Sequence, residues 1–128
     1  MRSPLLLVLG ACLSGCFSET WIDVFAVDGE GHAAEVGEGE VARYAFRLVR
    51  TEIEGETRIP ADKLTTDASV VELTKTAGLF CPPYGGKCLS VWELRGIRAG
   101  EAALNGSSAL GLGSLEASTV VRVRPRQR

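Results

Sequence analysis

The 128-residue chain lacks most of the residues and motifs that mark an enzyme or a nucleic-acid-binding protein. Its single histidine, His32, is the only one that a Ser-His-Asp triad could use. Its apolar stretch at 5–15 is shorter than the about 20 residues of a membrane-spanning helix, and no later stretch reaches that length. It has no phosphate-binding glycine loop and no interleaved basic and aromatic residues, so we predict no nucleic-acid partner. The formal net charge of −2 is too small to imply a partner.

Candidates for metal binding and catalysis are equally sparse. His32 lies in a segment rich in glycine and acids, which favours an exposed loop histidine over a catalytic one. Calcium prefers six to eight oxygen ligands, and segment 28–40 supplies several carboxylates, but His32 breaks the EF-hand spacing. We therefore predict a non-enzymatic protein with no catalytic residue, metal or cofactor, and leave calcium binding open for the acids of this segment: Asp28, Glu30, Glu35, Glu38 and Glu40.

The N-terminus has the layout of a secretory signal. Arg2 supplies a positive charge, and the apolar run 5–15 ends in small residues. Residues 13–16, with the sequence LSGC, resemble the lipobox of bacterial lipoproteins, in which cleavage precedes the cysteine and that cysteine is acylated. The resemblance implies a signal peptide over 1–15 and a membrane anchor through lipid on Cys16.

Two neighbouring features bear on this anchor. Residues 9–12, with the sequence LGAC, also fit the lipobox, so Cys12 stays an alternative, although cleavage there would leave a shorter apolar core. Phe17 follows Cys16, at the position where the family's inner-membrane retention signal is aspartate. The resemblance thus implies a lipid-anchored protein of the bacterial cell envelope, sorted to the outer membrane.

Cys81 and Cys88 remain as a pair once the N-terminal cysteines are assigned. A secreted chain meets an oxidising compartment, and turn-forming residues between the two cysteines let the chain double back, so we predict a disulfide. Zinc is the rival, but two thiolates and one histidine fall short of four ligands. The closed loop is a candidate binding loop for a protein or an envelope polymer, because a constrained loop with an aromatic tip is a low-entropy contact surface. Its residues are Pro82, Pro83, Tyr84, Gly85, Gly86 and Lys87.

Short alternating apolar runs from residue 21 onward, with no helical period, predict an all-β sandwich of about seven strands over 21–125. A short tether, 16–20, precedes it and a basic tail, 126–128, follows it. In the run 41–50 we expect Val41 inside and a bulge near Ala42. The other predicted strands are 21–27, a brief one near 33–36, an irregular one at 58–64, then 70–73, 89–97, 102–104 and 115–123, with turns at 51–57 and 105–113.

Four segments resemble, in order, the bacterial Ig-like domains of the invasin and intimin type. They are 36–48, 67–71 (DASVV), 96–104 (GIRAGEAAL) and 118–123. The resemblance implies an Ig-like β-sandwich, although the segment 74–92 with its cysteine pair is longer than the family's connection and only one copy is present. Gly96 and Gly100 bracket a tight reversal in which we expect positive φ.

These features together predict a lipid-anchored Ig-like module that presents loops to a protein or to another envelope component. The alternative is a small peptidase inhibitor resembling the chagasin group, for which Gly85 and Gly86 are the weak motif. The arginines at 122, 124, 126 and 128 leave open a contact with anionic lipid or polymer, against a simple solvated strand end.

Overall fold

The part of the chain that the structure describes forms nine β-strands, more than the seven or so predicted. The structure, a computed structural model, describes residues 18–83 and 85–127. Within these ranges no helix is long and apolar enough to cross a membrane. The strands are β1 (Thr20–Ala26), β2 (Ala34–Gly37), β3 (Val41–Glu52), β4 (Gly55–Pro60), β5 (Lys63–Thr65), β6 (Val71–Phe80), β7 (Leu89–Gly96), β8 (Gly100–Leu110) and β9 (Gly113–Arg124).

The strands form two packed sheets with the order of an immunoglobulin sandwich. Sheet A runs β1-β3-β7-β6, with β4 also paired to β3, and sheet B runs β2-β9-β8-β5. Ig domains place four strands of the ABED order against three of the CFG order, which β1-β3-β7-β6 and β5-β8-β9 reproduce. The strand β2 is added parallel to β9, while every other pair is antiparallel. The predicted all-β, Ig-like sandwich is confirmed.

The core lies between the two sheets and is built from side chains that alternate inward along each strand. Phe46, Leu48, Leu94 and Leu104 are among its fully buried members. Tyr44 fastens β2 to this core, because its hydroxyl donates to the Glu35 carbonyl at 2.8 Å and accepts from the Glu35 amide at 3.1 Å. The one buried polar side chain among the described residues, Ser108, donates to the Pro60 carbonyl and accepts from the Asp62 amide.

The register predicted for β3 was wrong at its start. Val41 is 56% exposed, whereas Ala42 packs against the core together with Tyr44, Phe46 and Leu48. These even-numbered positions share one face without a slip, and the pairing of β3 with β7 is continuous. The register shift in sheet A lies instead in β6, between Lys75 and Leu79.

Four predicted boundaries were also wrong, mostly because pairing extends strands beyond the segments predicted for them. The prediction ended the strand before the cysteine pair at 73, but β6 continues to Phe80 as an exposed edge of sheet A. The Ser- and Gly-rich stretch 105–110 is strand, because β8 pairs with β9 up to Leu110 and Gly113. The predicted strand 58–64 is two strands in different sheets, separated after Pro60, and the turn predicted at 51–57 narrows to 53–54.

The two sheets meet at the end of the sandwich that holds Gly37 and Gly96. Gly39 donates its amide to the Gly96 carbonyl, and Gly96 donates to Glu40. A Cβ at Gly96 would overlap the carbonyl oxygen of Gly37, so the close approach of two backbones requires glycine there. Positive φ was expected at Gly96 and Gly100, and among the described residues it occurs at Gly100 but not at Gly96.

Candidate binding surface

The loop closed by Cys81 and Cys88 sits at the end of the β6–β7 hairpin. Phe80 pairs with Leu89, so the next residues outward on each strand face each other, and their sulfurs form the predicted disulfide. Both cysteines are exposed. The disulfide therefore adds a covalent cross-link one residue beyond the last backbone pair of β6 and β7, and it fixes the ends of the loop 82–87.

Most of the described loop residues offer surface to a partner. Pro83, Gly85, Gly86 and Lys87 are exposed, and both glycines have positive φ, at 88° and 95°. Pro82, which sequence reasoning placed in the contact surface, is buried and serves the packing of the loop instead. Tyr84, the predicted tip residue, lies outside the described residues.

The loop belongs to a second apolar layer on the outer face of sheet A. Ala45, Val49, Leu89 and Val91 are buried at 0–4% exposure, yet they alternate with the core residues and stand apart from the core between the sheets. Outward-facing side chains of a sandwich are usually wet and polar. Burial of this set therefore shows that the outer face of sheet A is covered where β6 and β7 approach their common turn.

Aromatic and charged side chains cover this layer. The rings of Phe25 and Phe80 have centroids 5.6 Å apart, and the Arg47 guanidinium carbon lies 5.1 Å from the Phe25 centroid. Arg47 Nη2 also donates to Asp23 Oδ2 at 2.7 Å, while Trp21 Nε1 donates to Asp23 Oδ1 at 2.8 Å. This network ties β1 and β3 to Phe80, the residue directly before the disulfide, and so gives the loop a fixed base.

Sequence reasoning missed this base, although the signal was present in β1. On one face β1 carries Ile22 and Val24, and on the other it carries Trp21 and Phe25. A strand with large apolar residues on both faces is covered on both sides. The partner across the strands, Phe80, is far away in sequence and was assigned to a loop.

A small cavity of about 90 Å³ separates the loop from the sheet. Its lining includes Arg47, Arg58 and Lys87, so positive charge surrounds it. Arg47 is neutralised by Asp23 and Arg58 by Glu56, at 2.7 and 2.5 Å. Lys87 has no carboxylate partner within the part of the chain that the structure describes, which leaves one free cation beside the exposed glycines.

Three of the five acids of segment 28–40, namely Asp28, Glu35 and Glu40, form ion pairs with arginines. Asp28 accepts two hydrogen bonds from Arg43, at 2.5 and 2.8 Å. These bonds hold the pKa of Asp28 below its ordinary value and raise that of Arg43. Glu35 and Glu40 face Arg124. Over residues 18–83 and 85–127 no three His, Cys, Asp or Glu side chains come close enough to hold a metal ion.

The remaining predicted site residues lie either at the surface of the domain or outside the described residues. His32 is exposed in the loop between β1 and β2. At the other end of the chain, Arg122 and Arg124 lie on β9 near Glu35, and Arg126 lines an open pocket with Glu38 and Ile97. The predicted signal peptide 1–15, both lipidation candidates, Cys12 and Cys16, and the last residue of the basic tail lie outside the described residues.

The sequence and the structure were compared with protein-family models, with curated proteins and with solved structures, and none of the three comparisons gave a significant match.

Proposed function

We propose that this protein is a non-enzymatic, lipid-anchored component of the bacterial cell envelope whose Ig-like domain binds a protein or an envelope polymer through the loop 82–87. The anchor is supported by the signal layout of the N-terminus and the lipobox-like sequence LSGC at 13–16. The disulfide between Cys81 and Cys88 is compatible with an oxidising envelope compartment.

The binding role is carried by the way the loop is held. A disulfide closes it, Pro82 packs beneath it, and the cluster of Phe25, Phe80 and Arg47 lies at its base. Ordering a flexible loop on binding costs about 0.5–1.5 kcal/mol for each immobilised side chain, and a loop that is already fixed avoids much of this cost. An exposed loop built on such a base is suited to contact a partner.

The charge beside the loop indicates the chemistry of that partner. Lys87 is exposed next to Gly85 and Gly86, and Arg58 lines the same small cavity. Exposed glycines leave the backbone amides open to close approach. We therefore expect a partner that places an acidic group, from a carboxylate or a phosphate, against Lys87.

Site-specific photocrosslinking in cells tests this role. The full chain would carry a photoreactive amino acid at position 84 or, as the matched control, at exposed Thr65 on the outer face of sheet B. We expect a reproducible adduct from position 84 that is lost with Lys87→Glu and absent from position 65. An adduct pattern that is the same at both positions, or that Lys87→Glu leaves unchanged, would argue against the loop as the contact surface.

A further inference from the structure

The chain enters the sandwich at the same end as three hairpin turns. One is the β6–β7 turn, because β7 is antiparallel to β3 and starts beyond the Ala45–Val91 pair. Thr20 pairs with Arg50, and two residues later β3 turns at 53–54 into β4. On sheet B, Gly106 and Ala117 line the same surface pocket as Thr20, and β8 and β9 then continue to their turn at 111–112. We call this end of the sandwich the entry end.

The β8–β9 hairpin extends well along the entry end. Beyond the Gly106–Ala117 pair it continues for four more residue pairs, to Leu110 and Gly113. At about 3.3 Å per residue this adds about 13 Å along the strands. The hairpin tip thus projects in the direction from which the N-terminal segment arrives.

The tip of this hairpin is apolar and uncharged. No Asp, Glu, Lys or Arg occurs between Glu101 and Glu116. Leu112 is fully exposed, and the turn before it uses Gly111 with a φ of 60°. A solvent-exposed leucine at a hairpin tip, with no charged residue beside it, is suited to enter an apolar phase.

The β3–β4 turn at the entry end has charged residues beside its exposed apolar residue. Ile53 is 78% exposed, but Glu52 and Glu54 flank it. Carboxylates are repelled by the negative surface of an anionic membrane. The third turn, between β6 and β7, carries the exposed cation Lys87. The β8–β9 tip therefore differs from both in combining exposed apolar surface with an absence of charge.

We propose that the β8–β9 tip, with Leu112 foremost, inserts into the phospholipid bilayer that holds the N-terminal lipid. This inference rests on the proposed lipid anchor at Cys16. Thr20 is four residue steps from Cys16, so the tether reaches at most about 14 Å. Since the hairpin extends over a similar distance, a tether of this length brings the tip to the bilayer surface.

The test uses full-length protein purified from membranes and reconstituted into phosphatidylglycerol and phosphatidylethanolamine vesicles. An NBD fluorophore is attached at Leu112→Cys or, as the matched control, at Ile97→Cys, an exposed apolar residue at the opposite end of the sandwich. The unsubstituted protein is labelled in parallel to measure reaction at other thiols. The readout is quenching by a spin-labelled lipid, with the acylation state measured by mass spectrometry on the same sample.

We expect at least twofold stronger quenching of the label at position 112 than at position 97, with a blue shift at position 112 alone. An acylated protein whose two labels are quenched equally overturns the bilayer contact and leaves the anchor intact. A blue shift at position 112 that depends on protein density and not on spin-labelled lipid also overturns it, because a second copy then covers the tip. A chain without acyl groups overturns the anchor, and the inference with it.

Discussion

Removing the disulfide with the double substitution Cys81→Ser and Cys88→Ser is expected to lower the free energy of unfolding by about 2.5 kcal/mol. The estimate comes from the loop-closure entropy of a ring of eight residues. Both cysteines are exposed, so serine at these positions buries no new polar group. The ladder pairs between Val71 and Lys75 on β6 and their partners on β7 remain, so the sandwich itself should stay folded.

Urea unfolding followed by tryptophan fluorescence measures this loss, because Trp92 is buried in the core. At about 1–3 kcal/mol per molar urea, the midpoint should fall by about 0.8–2.5 M. Reducing the unsubstituted protein is the matched control and should reproduce the midpoint of the double variant. An unchanged midpoint would mean that the loop is not covalently closed, and a loss above about 5 kcal/mol would mean that the loop holds the sandwich together, contrary to its placement at one hairpin end.

Three further outcomes follow from the packing and the charges. Gly96→Ala should lower the free energy of unfolding, measured by thermal unfolding, by about 1–3 kcal/mol, because the new Cβ would overlap the Gly37 carbonyl. Gly29→Ala, where no atom lies within 4 Å of the new Cβ, should lower it far less. Equal losses would contradict the close approach of the two backbones. Phe46→Ala should cost about 3–5 kcal/mol in urea unfolding, since Phe46 is 1% exposed, and a cost near 1 kcal/mol would place it outside the core. Hydrogen bonds from the Ser69 hydroxyl and amide lower the pKa of Asp67, so the Asp67 carboxylate stabilises the fold fully above about pH 4 and loses this effect at lower pH. The free energy of unfolding of Asp67→Asn should therefore depend less on pH below about pH 4 than that of the unsubstituted protein. The same pH dependence in both proteins would refute this role of Asp67.

The fold was predictable where single strands carry their own signal. The alternation from Trp21 to Val27 located β1 to within one residue at each end, and Pro125 correctly marked the end of β9. The sequence misled at 105–110, where serine and glycine indicate a turn. Gly106 lies in a strand because it pairs with Ala117. Glycine suits this position because Ile22, Leu48 and Leu64, which are distant in sequence, leave little room for a side chain.

The candidate binding surface was also predictable only in part. The disulfide followed from the spacing of Cys81 and Cys88, which is local information. The base beneath the loop depends on Phe25, Arg47 and Phe80, which come together only after β1, β3, β7 and β6 are aligned in one sheet. The register shift in β6, which precedes Phe80, contains Gly78, and an isolated glycine in a strand often marks a bulge. The burial of Pro82, by contrast, could not be read from the local sequence.

Intact-mass spectrometry of the protein extracted from the membranes of its native host tests the proposed anchor and the closed loop together. The account predicts a mature chain that starts at Cys16, carries fatty acyl groups, and is lighter than its reduced form by the two hydrogens of the disulfide between Cys81 and Cys88. A chain with residues 1–15 still attached, a start at Cys16 without fatty acid, or a mass unchanged by reduction would contradict it.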